Sequence, residues 1–289
     1  MTSIWRVSLV VLAAGCASGA RAAGPANPQP SNPRPGTEPT RPEPSREVVL
    51  GYPRSGAGIV HYAFVRRDSV VATMPSGEQQ VQVLARTAYL TLTWVAADSG
   101  TKITTTIDSL VADSGLVLPL MVLDSARGTR WTALRPPAGG LTGLTGNRSS
   151  LIGDQVRDQL ALLFPRLPAD GLRPGSHWTD STQAPARVSA FEATETSLVS
   201  SDAGDLLSTG GVPIQVTIAR SATGEASQFG QPITIKAAGS DTLSYQFGAD
   251  GRILEASGRR WTSLVVELSA IGQSVPASEI SSISMTLLR

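Results

Sequence analysis

From residue 57 onward apolar and polar residues alternate in runs, the period-two signature of strands with one buried and one wet face. Val60, Tyr62 and Phe64 share one face of such a run, with His61 and Ala63 on the other. Leu90, Leu92 and Trp94 repeat the pattern against Thr91 and Thr93, and Ile103, Thr105 and Ile107 continue it. The alternation returns in Ile214/Val216/Ile218, Ile233/Ile235, Leu243/Tyr245/Phe247, Leu264/Val266/Leu268 and Ile283/Met285/Leu287. Asp98-Ser-Gly100, Asp113-Ser-Gly115, Asp202-Ala-Gly204 and Asp250-Gly251 lie between these runs and supply turn conformations. Asp250-Gly251 is the clearest hairpin signal.

One stretch changes period. Ile152, Val156, Leu160, Leu163 and Phe164 are spaced as one stripe of a helix, so residues 149–164 are expected to be helical. Ser149 or Ser150 supplies the start, Pro165 the stop, and Asp154, Arg157 and Asp158 the polar side. The predicted class is a β-rich α+β fold with antiparallel sheet in two halves, residues 47–148 and 165–289, packed on this central helix. Such a sheet closes as an open barrel or half-barrel, or stacks as two units.

Composition narrows the function classes. The 289 residues carry 24 Lys+Arg against 23 Asp+Glu, a formal charge of +1, so no global basic footprint marks a nucleic-acid partner. Hydrophobic residues at 41% suit a chain that buries a core. One cysteine excludes an internal disulfide and a cysteine-built metal cluster, and two histidines leave little material for zinc or acid–base chemistry.

The N-terminal region reads as an address. Arg6, the short apolar run Val7–Ala14 and the small residues after it have the layout of a secretory signal, too short to span a bilayer. Leu12-Ala-Ala-Gly-Cys16 resembles a bacterial lipobox, with Ala13 where the usual pattern prefers leucine. The expectation is a signal peptide over 1–15, a lipidated Cys16, and a Pro-rich tether through residue 46, followed by the domain 47–289. Eight of the 20 prolines fall between 24 and 46, favouring an extended spacer of about 60–70 Å at about 3.1 Å per residue. Lipidation places the chain on the envelope membrane, with Ala17 after the cysteine pointing to the outer membrane facing the periplasm. Cleavage near Ala22 instead gives a soluble exported protein.

Leu163-Phe-Pro-Arg-Leu-Pro168, followed by Pro174-Gly-Ser-His-Trp178, resembles a family of bacterial exported lipoproteins of unknown function. That resemblance implies localisation and β-rich architecture, not chemistry. At the level of architecture alone, sheet, helix and lipobox are similar to half-barrel lipoprotein carriers of the periplasm.

Candidate chemistry is sparse. Ser99-Gly-Thr-Lys102 matches Ser-x-x-Lys, but sits in a turn between strands and lacks the Ser-Asp-Asn and Lys-Thr-Gly partners. His61 and His177 are candidates for a metal or a base if folding brings them together, and Asp154 with Asp158 form an acidic pair one turn apart. Arg66-Arg67 and Arg259-Arg260 are candidates for lipid headgroups or a polyanion. No catalytic residue, metal or cofactor is assigned. Three functions remain: a non-enzymatic lipoprotein binding a lipid or other apolar ligand, an assembly module with an envelope protein partner, and a periplasmic hydrolase.

Overall fold

In the computed structural model the described residues are 48–53, 56–73, 76–112, 120–149, 151–160, 164–188, 191–228, 231–268 and 272–288. The signal segment, Cys16, the Pro-rich stretch to residue 46 and the Asp113-Ser-Gly115 turn lie outside them.

Antiparallel pairing dominates, as the alternation requires. The strands are β1 (Ala57–Thr73), β2 (Gln79–Ala97), β3 (Gly100–Ala112), β4 (Arg130–Arg135), β5 (Thr142–Gly146), β6 (His177–Val188), β7 (Phe191–Ala203), β8 (Val212–Gln228), β9 (Gln231–Phe247), β10 (Ile253–Leu268) and β11 (Gln273–Leu288). They form one open sheet in the order β5-β4-β3-β2-β1-β11-β10-β9-β8-β7-β6. The two expected halves are therefore joined, because β1 pairs with β11 from His61↔Leu288 to Ala72↔Ala277.

The expected helix is present over the described residues 151–160, while residues 150 and 161–163 lie outside the described set. Helix α2 is Leu151–Leu160, and a second helix, α1 (Leu120–Ala126), lies between β3 and β4. Ile152, Val156 and Leu160 are buried in the same apolar cluster as Phe64, Leu90, Ile107 and Phe247. Asp154 departs from the expected solvated side: it is buried, takes a hydrogen bond from Ser149 Oγ and pairs with Arg157 Nη1 at 3.4 Å.

The inner face is layered. At the end holding the β9–β10 hairpin it carries Val60, Tyr62, Phe64, Leu90, Val212, Ile214 and Phe247, all buried. Further along, the same face turns ionic across seven neighbouring strands, from Arg86 on β2 to Glu195 on β7. Asp68 receives Arg66 Nε at 2.5 Å and Arg86 Nη1 at 3.3 Å, and Arg66 Nη2 reaches Glu279 at 3.1 Å. Asp241 receives Arg220 and Arg260, and Arg220 also holds Glu195 at 2.7 Å. Four arginines thus meet four carboxylates, because an unpaired charge removed from water costs several kcal/mol. Burial, then repulsion from Arg66, lowers the Arg86 pKa to about 10, with Asp68 opposing the shift.

Glycine at two inner-face positions reflects close approach. A Cβ on Gly239, in the row of Arg220, would fall 2.2 Å from the Trp261 carbonyl oxygen. Backbone cannot yield as a side chain can, so Gly239→Ala is expected to cost about 1–3 kcal/mol in chemical denaturation. At Gly58 the obstacle is the Trp94 ring, 2.1 Å away, which lies across β1 because no side chain stands there.

Candidate functional site

The chain enters the fold as a strap, Val48–Pro53, fixed at four places. Leu50 and Leu172 exchange two backbone hydrogen bonds of 2.8 Å. Tyr52 donates its phenol proton to the Pro165 carbonyl at 2.8 Å. Gly51 O lies so close to Gly251 that a Cβ there would meet it at 2.2 Å, while Gly251 itself has φ +79°, which glycine adopts freely. The Pro53 carbonyl accepts from Arg135 Nη2 at 2.9 Å and from Thr101 Oγ1 at 3.2 Å.

Tyr52 is the hub. Its ring meets Phe247 edge-on at 5.2 Å and Phe164 at 6.4 Å, and the Arg135 guanidinium carbon stands 4.5 Å from its centroid. Arg135 belongs to β4 and Phe247 to β9, six positions apart in the sheet. At about 4.8 Å per strand a flat sheet would separate them by roughly 29 Å. One ring touches both, so the sheet bends and brings these strands around the strap.

Two cavities adjoin the Tyr52–Arg135 pair. The smaller, about 30 Å³, is mainly apolar, with Val60, Tyr62, Leu92, Trp94 and Met285 among its walls. The larger, about 200 Å³, is walled by Tyr52, Pro53, Thr101, Arg135, Pro136 and, on the β2–β3 turn, Asp98. Arg135 is buried, with its Nε lacking any partner among the described residues. Burial lowers its pKa below the ordinary arginine value, against opposing contributions from Tyr52 and Tyr62.

Burial also raises the phenols. Tyr52 and Tyr245 titrate above the ordinary tyrosine value, and Tyr62, whose hydroxyl donates to the Ile253 carbonyl, is pushed up to about 12. Between pH 10 and 12 the unfolded chain releases the Tyr62 proton while the folded chain keeps it, so this residue's stabilising contribution is full below 10 and lost through 12. Wild type is expected to lose stability relative to Tyr62→Phe over that interval, measured as unfolding free energy against pH. A pH-independent difference would contradict the shift.

The residues singled out from sequence are not gathered here. His61 on β1 and His177 on β6 stand six strand positions apart. His61 Nδ1 is 2.9 Å from Thr91 Oγ1, whose proton goes to Asp108 Oδ2 at 2.6 Å. In that order His61 donates to the hydroxyl and is not the base that takes its proton. His177 opens β6 and is exposed, 2.8 Å from Asp202. Ser99 is exposed in the β2–β3 turn and Lys102 is exposed at the start of β3. Asp154 is buried, and the side chain of Asp158 lies outside the described set. Each arginine pair splits: Arg66 and Arg260 enter the ionic layer, while Arg67 and Arg259 face outward, both opposite Ser282. Cys16 lies outside the described residues. Among those residues no group of three or more His, Cys, Asp and Glu could hold a metal, and no helix is long and apolar enough to cross a membrane.

Sequence reading passed over Tyr52 and Arg135. Their signal was parity: Arg135 falls in step with Trp131 and Ala133, the buried positions of β4.

No protein-family profile matches the sequence, and no curated protein matches it significantly. Among solved structures the chain is similar to DynF from the dynemicin biosynthesis pathway of Micromonospora chersina. The identity is 10% over 88% of this chain and 92% of that one, with a TM-score of 0.24, too low to argue fold or activity.

Proposed function

We propose that the protein is a non-enzymatic lipoprotein of the bacterial cell envelope, anchored through Cys16 and probing its surroundings with a ligand-binding β domain. The Pro-rich stretch to residue 46 serves as the spacer, and the outer membrane facing the periplasm is the expected location. In this reading the bent sheet is a half-barrel packed on α2, closed at one end by the Val48–Pro53 strap.

The observation that carries the binding role is Arg135: a buried, incompletely hydrogen-bonded guanidinium beside a cavity of about 200 Å³. The adjoining apolar cavity, about 30 Å³, offers room for little more than a water molecule. The part of a lipid that enters is therefore its polar end, and the interior remains filled by the chain's own side chains.

The anchor is tested by intact mass and membrane fractionation from the native envelope. A fragment beginning at Cys16 with acyl mass, lost with Cys16→Ala, is expected. A soluble, unacylated chain beginning near Ala23 would contradict the anchor.

A second reading, an assembly module, draws on Ile59, Val95 and Leu288, exposed neighbours on the outer face of β1, β2 and β11. Crosslinking in cells through position 59 is expected to capture an envelope protein if that face is an interface. No adduct would set this reading aside.

A further inference from the structure

We propose that the cavity of about 200 Å³ binds a small zwitterion, its anionic group on Arg135 and its ammonium on Asp98. This inference rests on the binding role above and names the chemistry of that site.

Two opposite charges wall one cavity, and no ion pair joins them. Arg135 Nη2 is committed to the Pro53 carbonyl and to Thr101 Oγ1, the latter at 3.4 Å. Among the described residues Nε is buried without a partner and Nη1 takes part in no hydrogen bond. The guanidinium of this lining residue thus keeps donor capacity for a ligand. The cation–π contact with Tyr52 and the bond to Pro53 hold the guanidinium in place before any ligand arrives.

Asp98 is exposed at the β2–β3 turn and forms no ion pair with a described residue. Asp98 and Arg135 both line the cavity, the first exposed to solvent and the second buried. A simple anion on Arg135 would meet the field of Asp98, and a simple cation at Asp98 would leave the buried donors of Arg135 unanswered. A molecule carrying both charges satisfies both.

The remaining walls among the described residues, Tyr52, Pro53, Ala97, Gly100, Pro136 and Pro137, add rings and small apolar surface but no further charge. The volume lies below the range of about 300–1,000 Å³ typical of drug-sized ligands, which fits a compact molecule or the headgroup of a larger one. The shared chemistry is a phosphate or carboxylate joined through a short linker to an ammonium. It can be supplied by a free metabolite or by a zwitterionic phospholipid surface.

The test uses the full-length unacylated Cys16→Ala chain, titrated calorimetrically with O-phosphoethanolamine, methyl phosphate and ethylamine. Phosphoethanolamine is expected to bind at least tenfold more tightly than either half. Asp98→Asn, a change on an exposed turn, is expected to reduce its affinity to that of methyl phosphate. Arg135→Lys should weaken both anions tenfold or more, because a point charge cannot replace the planar fork. If Arg135→Lys fails to fold, the Asp98→Asn comparison decides alone. Cosedimentation with phosphatidylethanolamine vesicles, but not with phosphatidylglycerol vesicles, would assign the ligand to a lipid surface; binding of the free molecule only would assign it to a metabolite. Equal affinity for methyl phosphate and phosphoethanolamine would overturn the zwitterion while leaving a binding site. No binding of any probe, with no gain in thermal stability, would overturn the zwitterion, and loss of the binding role itself would be read separately from whether material purified with the native protein depends on Arg135.

Discussion

Asp241→Ala is expected to destabilise the protein by about 3–5 kcal/mol, a large share of the roughly 5–15 kcal/mol that holds a typical domain together. Asp241 is 1% exposed and both its oxygens are engaged. Arg220 Nη2 reaches Oδ2 at 2.5 Å, and Arg260 adds contacts of 3.1 and 3.2 Å. Removing the carboxylate leaves two guanidinium groups facing each other across one strand, with Glu195 paired to Arg220 and only the longer-range fields of Glu279 and Glu195 on Arg260. The cost comes chiefly from stranded charge rather than from the lost bonds themselves. Replacing Glu195, Arg220, Asp241 and Arg260 together by apolar residues of similar volume should therefore cost much less than the single change. Urea denaturation of both variants measures this. A single substitution costing under about 1 kcal/mol would show that the ionic layer is better hydrated than its burial implies.

Phe247→Ala is expected to cost a similar amount, about 3–5 kcal/mol, by a different route. Phe247 is fully buried at the end of β9 and presents its ring to Tyr52. Truncation removes apolar contact, leaves a cavity between β8, β9 and the strap, and withdraws one of the supports that position Tyr52 beneath Arg135. Faster amide hydrogen exchange at Leu50 should accompany the loss, because its bonds to Leu172 depend on a seated strap. Destabilisation with unchanged exchange at Leu50 would mean that the strap is held independently of Phe247.

The strands were legible wherever apolar residues alternate, as in Val60-Tyr62-Phe64 and Leu243-Tyr245-Phe247. Their length was not. β1 continues inward through Arg66 and Asp68, and β9 through Gly239 and Asp241, where a periodic search for hydrophobicity sees the face end. The inward parity nevertheless persists there, and charged residues on that parity point to an ionic layer rather than to a loop. Adjacent arginines at 66 and 67 read as a cationic patch until strand geometry sends one to each face. The continuity of the sheet depended on β1 pairing with β11, a contact between residues more than 200 positions apart that no local pattern encodes. The Tyr52–Arg135 site escaped for the same reason, since its parts come from the strap, β4 and the β2–β3 turn. Of the helical stripe, Ile152, Val156 and Leu160 lie on α2, whereas Leu163 falls outside the described residues.

Native mass spectrometry of the chain purified from its own envelope tests the binding role most directly. The wild-type protein is expected to carry a small non-covalent ligand, separable from any acyl mass on Cys16, and Arg135→Gln to carry none while remaining folded. A wild-type protein with no retained ligand, or an identical adduct on both proteins, would contradict a binding site built around Arg135.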